Sequence, residues 1–232
     1  MKTNTAERPS SRREDVFAKY AGKNVIAVGA HPDDIELGCG GTLARLVRAG
    51  ARVTMVVVSI PSNVRTRRRE AIKAAKVLGC DIRFLNPDRP SRVEDLKTHQ
   101  LVGMLDSVVK ELQPAAMFTH SLSGLHLDHK LTHEACMSSK RLRFFDVFCY
   151  SPTDTHAVNI PFFADVWVDT FDTIEVKMKA IQAHASRFKE RGLTPERYRD
   201  IDVHMGRLVG LECAEGFEVG RMRVDRRTAG DA

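Results

Sequence analysis

Short continuous apolar runs alternate along this chain with longer stretches whose apolar positions recur every three or four residues. Runs of the first kind read as strands covered on both faces, and stretches of the second kind as amphipathic helices. Residues 24–29, 53–58, 81–85 and 115–119 are predicted strands. Between them, 40–49 carries Leu43, Leu46 and Val47 at helical spacing, and Gly50 ends it. The helix over 67–78 turns Ala71, Ile72, Ala75 and Leu78 inward and closes at Gly79. A long helix over 94–112 aligns Leu101, Met104, Leu105, Val108 and Leu112 ahead of Pro114. From Leu131 the pattern predicts a helix to about 139, a strand over 145–150, a loop over 151–161, a strand over 164–168 and a helix over 173–185. The tail is weakly patterned, with a helix over 208–213 and a strand over 217–224 as its expected elements.

Strands alternating with helices at these lengths imply an α/β fold: a right-handed, Rossmann-like, mostly parallel sheet flanked by helices, in a single domain over 23–232. Residues 1–22 are polar, with Pro9, Ser10, Ser11 and paired arginines, and read as a flexible N-terminal arm.

Composition narrows the function more by exclusion than by selection. The 232 residues are 43% apolar, enough for a core, and 36 Lys and Arg against 30 Asp and Glu leave a formal charge of +6. That excess gathers at Arg65, Arg67, Arg68 and Arg69 and at Arg221, Arg223, Arg226 and Arg227, with no aromatic residue interleaved. Solvated faces explain these clusters better than a nucleic-acid stripe, so no nucleic-acid partner is expected. Five cysteines without a C-x-x-C pair build neither a disulfide framework nor a thiolate zinc site. No apolar run reaches membrane length and the N-terminus lacks an apolar leader core, so a cytoplasmic protein without a membrane partner is expected. A homo-oligomer stays open.

Candidate chemistry lies where ligands bind in such sheets, beyond the carboxyl ends of the strands. HPDDIELGCGG, residues 31–41, follows the first strand; His120 to His133 follow the fourth. Carboxylates beside a strand end are rarely buried unless paired or bound to metal. His31 and Asp34 can supply two ligands to a catalytic zinc, and one of His126, His129 and His133 a third. Asp33 would then take the proton of the attacking water, and a further histidine would stabilise the oxyanion or protonate the leaving amine. Asp33 and Asp34 also suit helix capping, and the glycines suit a tight turn. Capping alone leaves the coincidence of two such clusters at strand ends unexplained.

AHPDDIELGCGGTLARL together with THSLSGLHLDHKLTHEA resembles the LmbE-like, or PIG-L, family of zinc-dependent N-deacetylases, which act on N-acetylglucosamine-type sugars in larger conjugates. Asp169, Lys177, Ala180, His184 and Ser186 are similar to the family's downstream pattern, and Ala214-Glu215-Gly216-Phe217 to its terminal motif. The resemblance implies His31, Asp34 and His129 as ligands of Zn2+, with another divalent metal as an alternative. It implies Asp33 as general base, His126 as the acid or oxyanion-stabilising group, and Asp128 as the partner that orients a histidine. Arg69, in an Arg-Glu pair, is implied to reach substrate; His156, in the 151–161 loop, is a second candidate substrate contact. Ile35, Gly124 and Leu127 depart from the family's pattern, without touching the ligands.

The expected function is a zinc-dependent hydrolase removing an N-acetyl group from an amino sugar in a small-molecule sugar conjugate. The alternatives are an amidase of the same fold acting on a larger acyl or thiol conjugate, and a non-catalytic nucleotide-binding module using residues 38–41 as an anion cradle.

Overall fold

The computed structural model describes residues 16–86, 88–151 and 161–223. Its strands are β1 (Asn24–Gly29), β2 (Arg52–Val57), β3 (Asp81–Phe84), β4 (Ala116–His120), β5 (Asp146–Tyr150), β6 (Val166–Asp169) and β7 (Ala214–Arg221). They form one sheet in the order β3-β2-β1-β4-β5-β7-β6. The first five are mutually parallel, and β7 runs antiparallel to both β5 and β6. β1 pairs with β2 on one side and β4 on the other, so the strand order reverses at β1 and opens a crevice between the β1 and β4 ends.

Side-chain alternation along β1 shows why the run is apolar throughout. Val25 and Ala27 pack with Leu43 and Leu46 of α1 (Asp34–Arg48), Ala74 and Leu78 of α2 (Val64–Leu78) and Ala180 of α5 (Ile174–Gln182). Ile26 and Val28 face the other way, onto Leu101, Leu105 and Val109 of α3 (Thr98–Leu112) and Ala135 and Cys136 of α4 (Leu127–Ser139). Two further helices, α6 (Ala185–Arg191) and α7 (Glu196–Leu208), close the end of the molecule beside α5. No helix among the described residues is long and apolar enough to cross a membrane. All five cysteines are free.

Several boundaries differ from the expected ones. The arm does not extend to residue 22, because Val16–Tyr20 forms a 3-10 helix that buries Phe17 and Tyr20 in the core. Tyr20 Oη and Lys19 Nζ each donate to Asp146 Oδ2 at 2.7 Å; residues 1–15 lie outside the described residues. α1 begins at Asp34 instead of residue 40 and breaks at Cys39 (φ −149°, ψ 17°). The weakly patterned tail holds α7, for which no element was predicted, and residues 208–213 do not form a helix of their own. α7 turns Tyr198, Asp202 and Gly206 inward, so an acid and a glycine replace the apolar stripe that would have announced it.

Candidate metal and catalytic site

The site begins where β1 stops and the chain doubles back into α1. A Cβ on Gly29 would lie 2.8 Å from Ile35 Cγ1, so only glycine lets the turn close this tightly. Within the turn, His31 N donates to Asp34 Oδ2 at 2.8 Å. Asp33 is held at φ 98°, ψ −31°, a left-handed conformation that costs a non-glycine residue about 1–3 kcal/mol. A strained, buried carboxylate persists only where its surroundings impose it. Here Arg67 Nη2 lies 3.3 Å from Asp33 Oδ1 and also donates to Pro32 O at 2.7 Å, while Arg187 Nε lies 3.2 Å from Asp33 Oδ2.

The second motif meets this turn across the crevice. His120 ends β4, His126 caps α4, and Asp128 and His129 lie in the first turn of α4. Two overlapping groups bring ligand atoms within 4.8 Å of one another, His31–His126–His129 and Asp34–His120–His129. Hydrogen bonding decides which nitrogens remain available. His120 Nε2 accepts from Ala30 N at 3.0 Å, and His126 Nδ1 accepts from Asp128 N at 3.2 Å. His31 Nε2 donates to Asp128 Oδ2 at 2.8 Å, leaving Nδ1 as its lone-pair nitrogen, 3.6 Å from Asp34 Oδ2. His129 Nε2 lies 3.4 Å from Asp34 Oδ1.

The separations of Asp34 from His31 and from His129 suit metal ligands, while neither group of three unites His31, Asp34 and His129. Ligands bound tetrahedrally at about 2.0–2.1 Å stand about 3.4 Å apart, and a set of two histidines and one aspartate suits zinc or another divalent ion. Asp128 fixes the tautomer and orientation of His31, and is itself fixed by the amides of Val93 at 3.1 Å and Glu94 at 3.0 Å.

Charge follows the same geometry. Burial works against ionised Asp34, but His129 outweighs it and holds the carboxyl well below its ordinary range. Asp128 is likewise brought down to about 2 by His31 and the two amides, against its burial. Burial pushes Asp33 up, with the two arginines opposing. Burial also lowers His120 to about 3 and lowers His126, so both rings are neutral; His129 is raised, the Asp34 carboxylate overcoming burial.

Two cavities open on this cluster. A small one, of about 30 Å³, is walled by Leu37, Phe188, Leu193 and Tyr198 opposite His31, Asp34, His126 and His129. A larger one, of about 370 Å³, shares His31, His126 and Arg187 with it.

The structure brings His31, Asp33, Asp34, His126, Asp128 and His129 together. Arg69 does not join them: it is exposed on α2 and lines neither cavity. Two residues further along a helix is a turn of about 200°, so Arg67 faces the site and Arg69 the opposite side. His156 lies outside the described residues. The anion-cradle reading of residues 38–41 is overturned, because the helix start after the Cys39 break already holds an anion. Glu215 accepts from Gly41 N at 2.9 Å and Thr42 N at 2.7 Å, and a Cβ on Gly41 would lie 2.8 Å from Thr170 Cγ2. Arg67, Arg187 and His120 are site residues that motif reading missed.

The profile of the PIG-L family, described as GlcNAc-PI de-N-acetylase, matches residues 26–140, a span that contains both histidine motifs. An uncharacterised deacetylase, YaiS of Escherichia coli K12, is 30% identical over 128 residues, which cover 51% of this chain and 69% of that protein. Diacetylchitobiose deacetylase of Thermococcus kodakarensis is 23% identical over 224 residues, 84% of this chain and 82% of that one. Among solved structures, the 4-carboxy-2-hydroxymuconate hydratase GalB of Pseudomonas putida superposes with a TM-score of 0.72 at 21% identity, covering 89% of this chain and all of that one. The same fold therefore carries a hydratase as well as deacetylases, and the reaction has to be argued from the site. With both motifs inside the matched span and one Rossmann-like domain beneath them, the chain belongs to the PIG-L family.

Proposed function

We propose that this protein is a metal-dependent N-deacetylase that hydrolyses the acetamide of an amino sugar carried in a larger conjugate. The observation that carries the reading is the Asp34 carboxylate set between two imidazoles, Oδ2 3.6 Å from His31 Nδ1 and Oδ1 3.4 Å from His129 Nε2, beside the second buried carboxylate of Asp33. His31, Asp34 and His129 would hold the ion, Zn2+ by donor type. When bound, it supplies Lewis acidity toward the amide carbonyl and the attacking water.

Asp33 takes the water's proton. Arg67 and Arg187 each hold one of its oxygens, so its orientation is set before substrate arrives. His126, whose Nδ1 is committed to Asp128 N, carries its proton on Nε2 and hydrogen-bonds the amide oxygen as charge develops there; as the C–N bond breaks, Asp33 passes the water's proton to the departing nitrogen, releasing acetic acid and the free amine. The small cavity takes the acyl group. At about 30 Å³ it has room for roughly two waters, which suits the methyl of an acetyl group and argues against the larger-acyl amidase. The names of the relatives, which include deacetylases of diacetylchitobiose and of an acetamido-sugar inositol, support an amino-sugar substrate.

Asp33→Asn tests the reading cleanly, since Asn tolerates positive φ as Asp does. The purified variant keeps its bound metal and loses about 10²-fold or more of kcat in a free-amine assay. Near-normal turnover would remove Asp33 as the base.

A further inference from the structure

We propose that the conjugate carries an oxyanion, phosphate or carboxylate, on or next to the amino-sugar ring, held by Arg187 and Arg92 in the larger cavity. The inference rests on the deacetylase reading only for the identity of the rest of the substrate.

Three guanidinium groups, those of Arg67, Arg92 and Arg187, line this cavity together with Ser62, His31 and His126. The carboxylates of Asp128 and Glu94 line the same cavity and Asp33 lies beside it, but each is already engaged. Asp33 alone serves both Arg67 and Arg187. Asp128 is taken up by His31 and two backbone amides. Glu94 pairs with Arg92 at 2.9 Å, but Arg92 is 67% exposed, so that pair is largely screened by solvent.

Unused donors remain. Arg187 makes its one hydrogen bond among the described residues through Nε, leaving both terminal nitrogens free, and Arg92 uses only Nη1 of its side chain. Guanidinium forks of this kind match the oxygens of phosphate and carboxylate in geometry and in charge. A neutral sugar would use neither property.

Both arginines are positioned rather than loose. Glu70 accepts from Ser186 N at 2.9 Å and Ser186 Oγ at 2.6 Å, anchoring the residue before Arg187. Arg92 N donates to Asp95 Oδ2 at 2.8 Å, and the next two amides are held by Asp128, the carboxylate that orients His31. The Arg92 turn is thereby tied to the metal site through one side chain. The free fork of Arg187 begins one carbon beyond an Nε that sits 3.2 Å from Asp33, so the anion lies close to the reacting amide. The cavity, at about 370 Å³, is large enough for a monosaccharide bearing one charged substituent.

The test compares matched pairs on the metal-loaded enzyme: N-acetylglucosamine against its 1- and 6-phosphates and against N-acetylmuramate, with kcat/KM from a free-amine assay. Calorimetric binding of glucosamine against glucosamine 6-phosphate and muramate is measured in parallel. One or more of the anionic substrates is favoured about tenfold or more over the neutral sugar, and raising salt from ~0.05 to ~0.5 M erodes the advantage. Arg187→Gln abolishes the anionic-to-neutral ratio and Arg92→Gln lowers it, in variants whose melting temperatures verify folding. The arm that wins separates phosphate from carboxylate. Equal rates on neutral and anionic sugars overturn the inference and leave the deacetylase reading standing. An advantage that survives both replacements also overturns it, since the anion is then held by something other than these arginines. Arginine-dependent binding of the anionic amines without cleavage of any N-acetyl sugar upholds it and overturns the deacetylase reading instead.

Discussion

α1 breaks at Cys39, and each half adjoins a buried cluster of charge, yet the two clusters are in opposite conditions. At Gly41 and Thr42 the cluster is closed. Lys177, fully buried, lies 2.9 Å from Asp202 Oδ1 and 2.8 Å from Glu215 Oε1, and Glu215 also receives two backbone amides. At Asp34 the cluster opens on a cavity and is built of ligand-type groups: His31 Nδ1 lies 3.6 Å from Asp34 Oδ2 and His129 Nε2 lies 3.4 Å from Asp34 Oδ1. Residue types are nearly shared, since both clusters are built from buried acids and nitrogen bases. What separates them is that one is closed around a fixed lysine ammonium while the other pairs its carboxylate with imidazoles that can equally bind a metal, and that difference is what marks one as framework and the other as a candidate site.

Removing the internal cation is the largest way to break the comparison. Lys177→Met leaves Asp202 and Glu215 buried without their partner, and a loss of about 3–5 kcal/mol is expected in chemical unfolding. Metal bound per folded molecule stays the same. A variant as stable as the parent would mean that Lys177 does not neutralise Asp202 and Glu215.

The next effect is pH-dependent. Burial pushes the Asp202 carboxyl up to about 7, with Lys177 and Arg199 opposing and Glu215 adding to the rise. Unfolded, it titrates near about 3.9. The folded state therefore keeps a proton that the unfolded state releases. This group's contribution to stability is complete below about pH 4 and is lost as pH rises through about 7. The expected loss is at most a few kcal/mol. Unfolding free energies of the parent and Asp202→Asn at about pH 5 and about pH 8 check it: the variant's drop is smaller, and equal drops would remove the assignment.

The comparison also explains what could be read from residues alone. The open cluster was legible because its chemistry is contiguous: His31 to Asp34 and His126 to His129 are two short motifs, and a parallel α/β pattern puts both at strand ends. That β1 and β4 are neighbours, so that both motifs overlook one crevice, comes from the strand pairing itself. The closed cluster was not legible as a unit, since Lys177, Asp202 and Glu215 come from three elements, one of them a helix whose inward positions are polar. Arg67 was hidden among four near-adjacent arginines. Its signal was the register of α2, because Ala71, Ala74, Ala75 and Leu78 are buried and Arg67 lies one turn before Ala71 on that stripe. Arg187 had no such signal, since its place depends on Glu70 gripping Ser186 across the fold.

Asp128 is where the two conditions meet, and it gives the finest of these tests. Like Glu215, it is a buried carboxylate that receives two backbone amides, from Val93 and Glu94; unlike Glu215, its third partner is a histidine of the open cluster. Asp128→Asn keeps an acceptor for an amide but weakens its grip on His31 Nε2, so the framework part of its work is largely retained and the site part is not. If His31 Nδ1 is a ligand, chelator competition will show metal affinity reduced by about 10–100-fold, and saturating metal will recover most of the lost turnover. An unchanged affinity would separate His31 from the metal and leave its contact with Asp128 as packing of the same kind as the closed cluster.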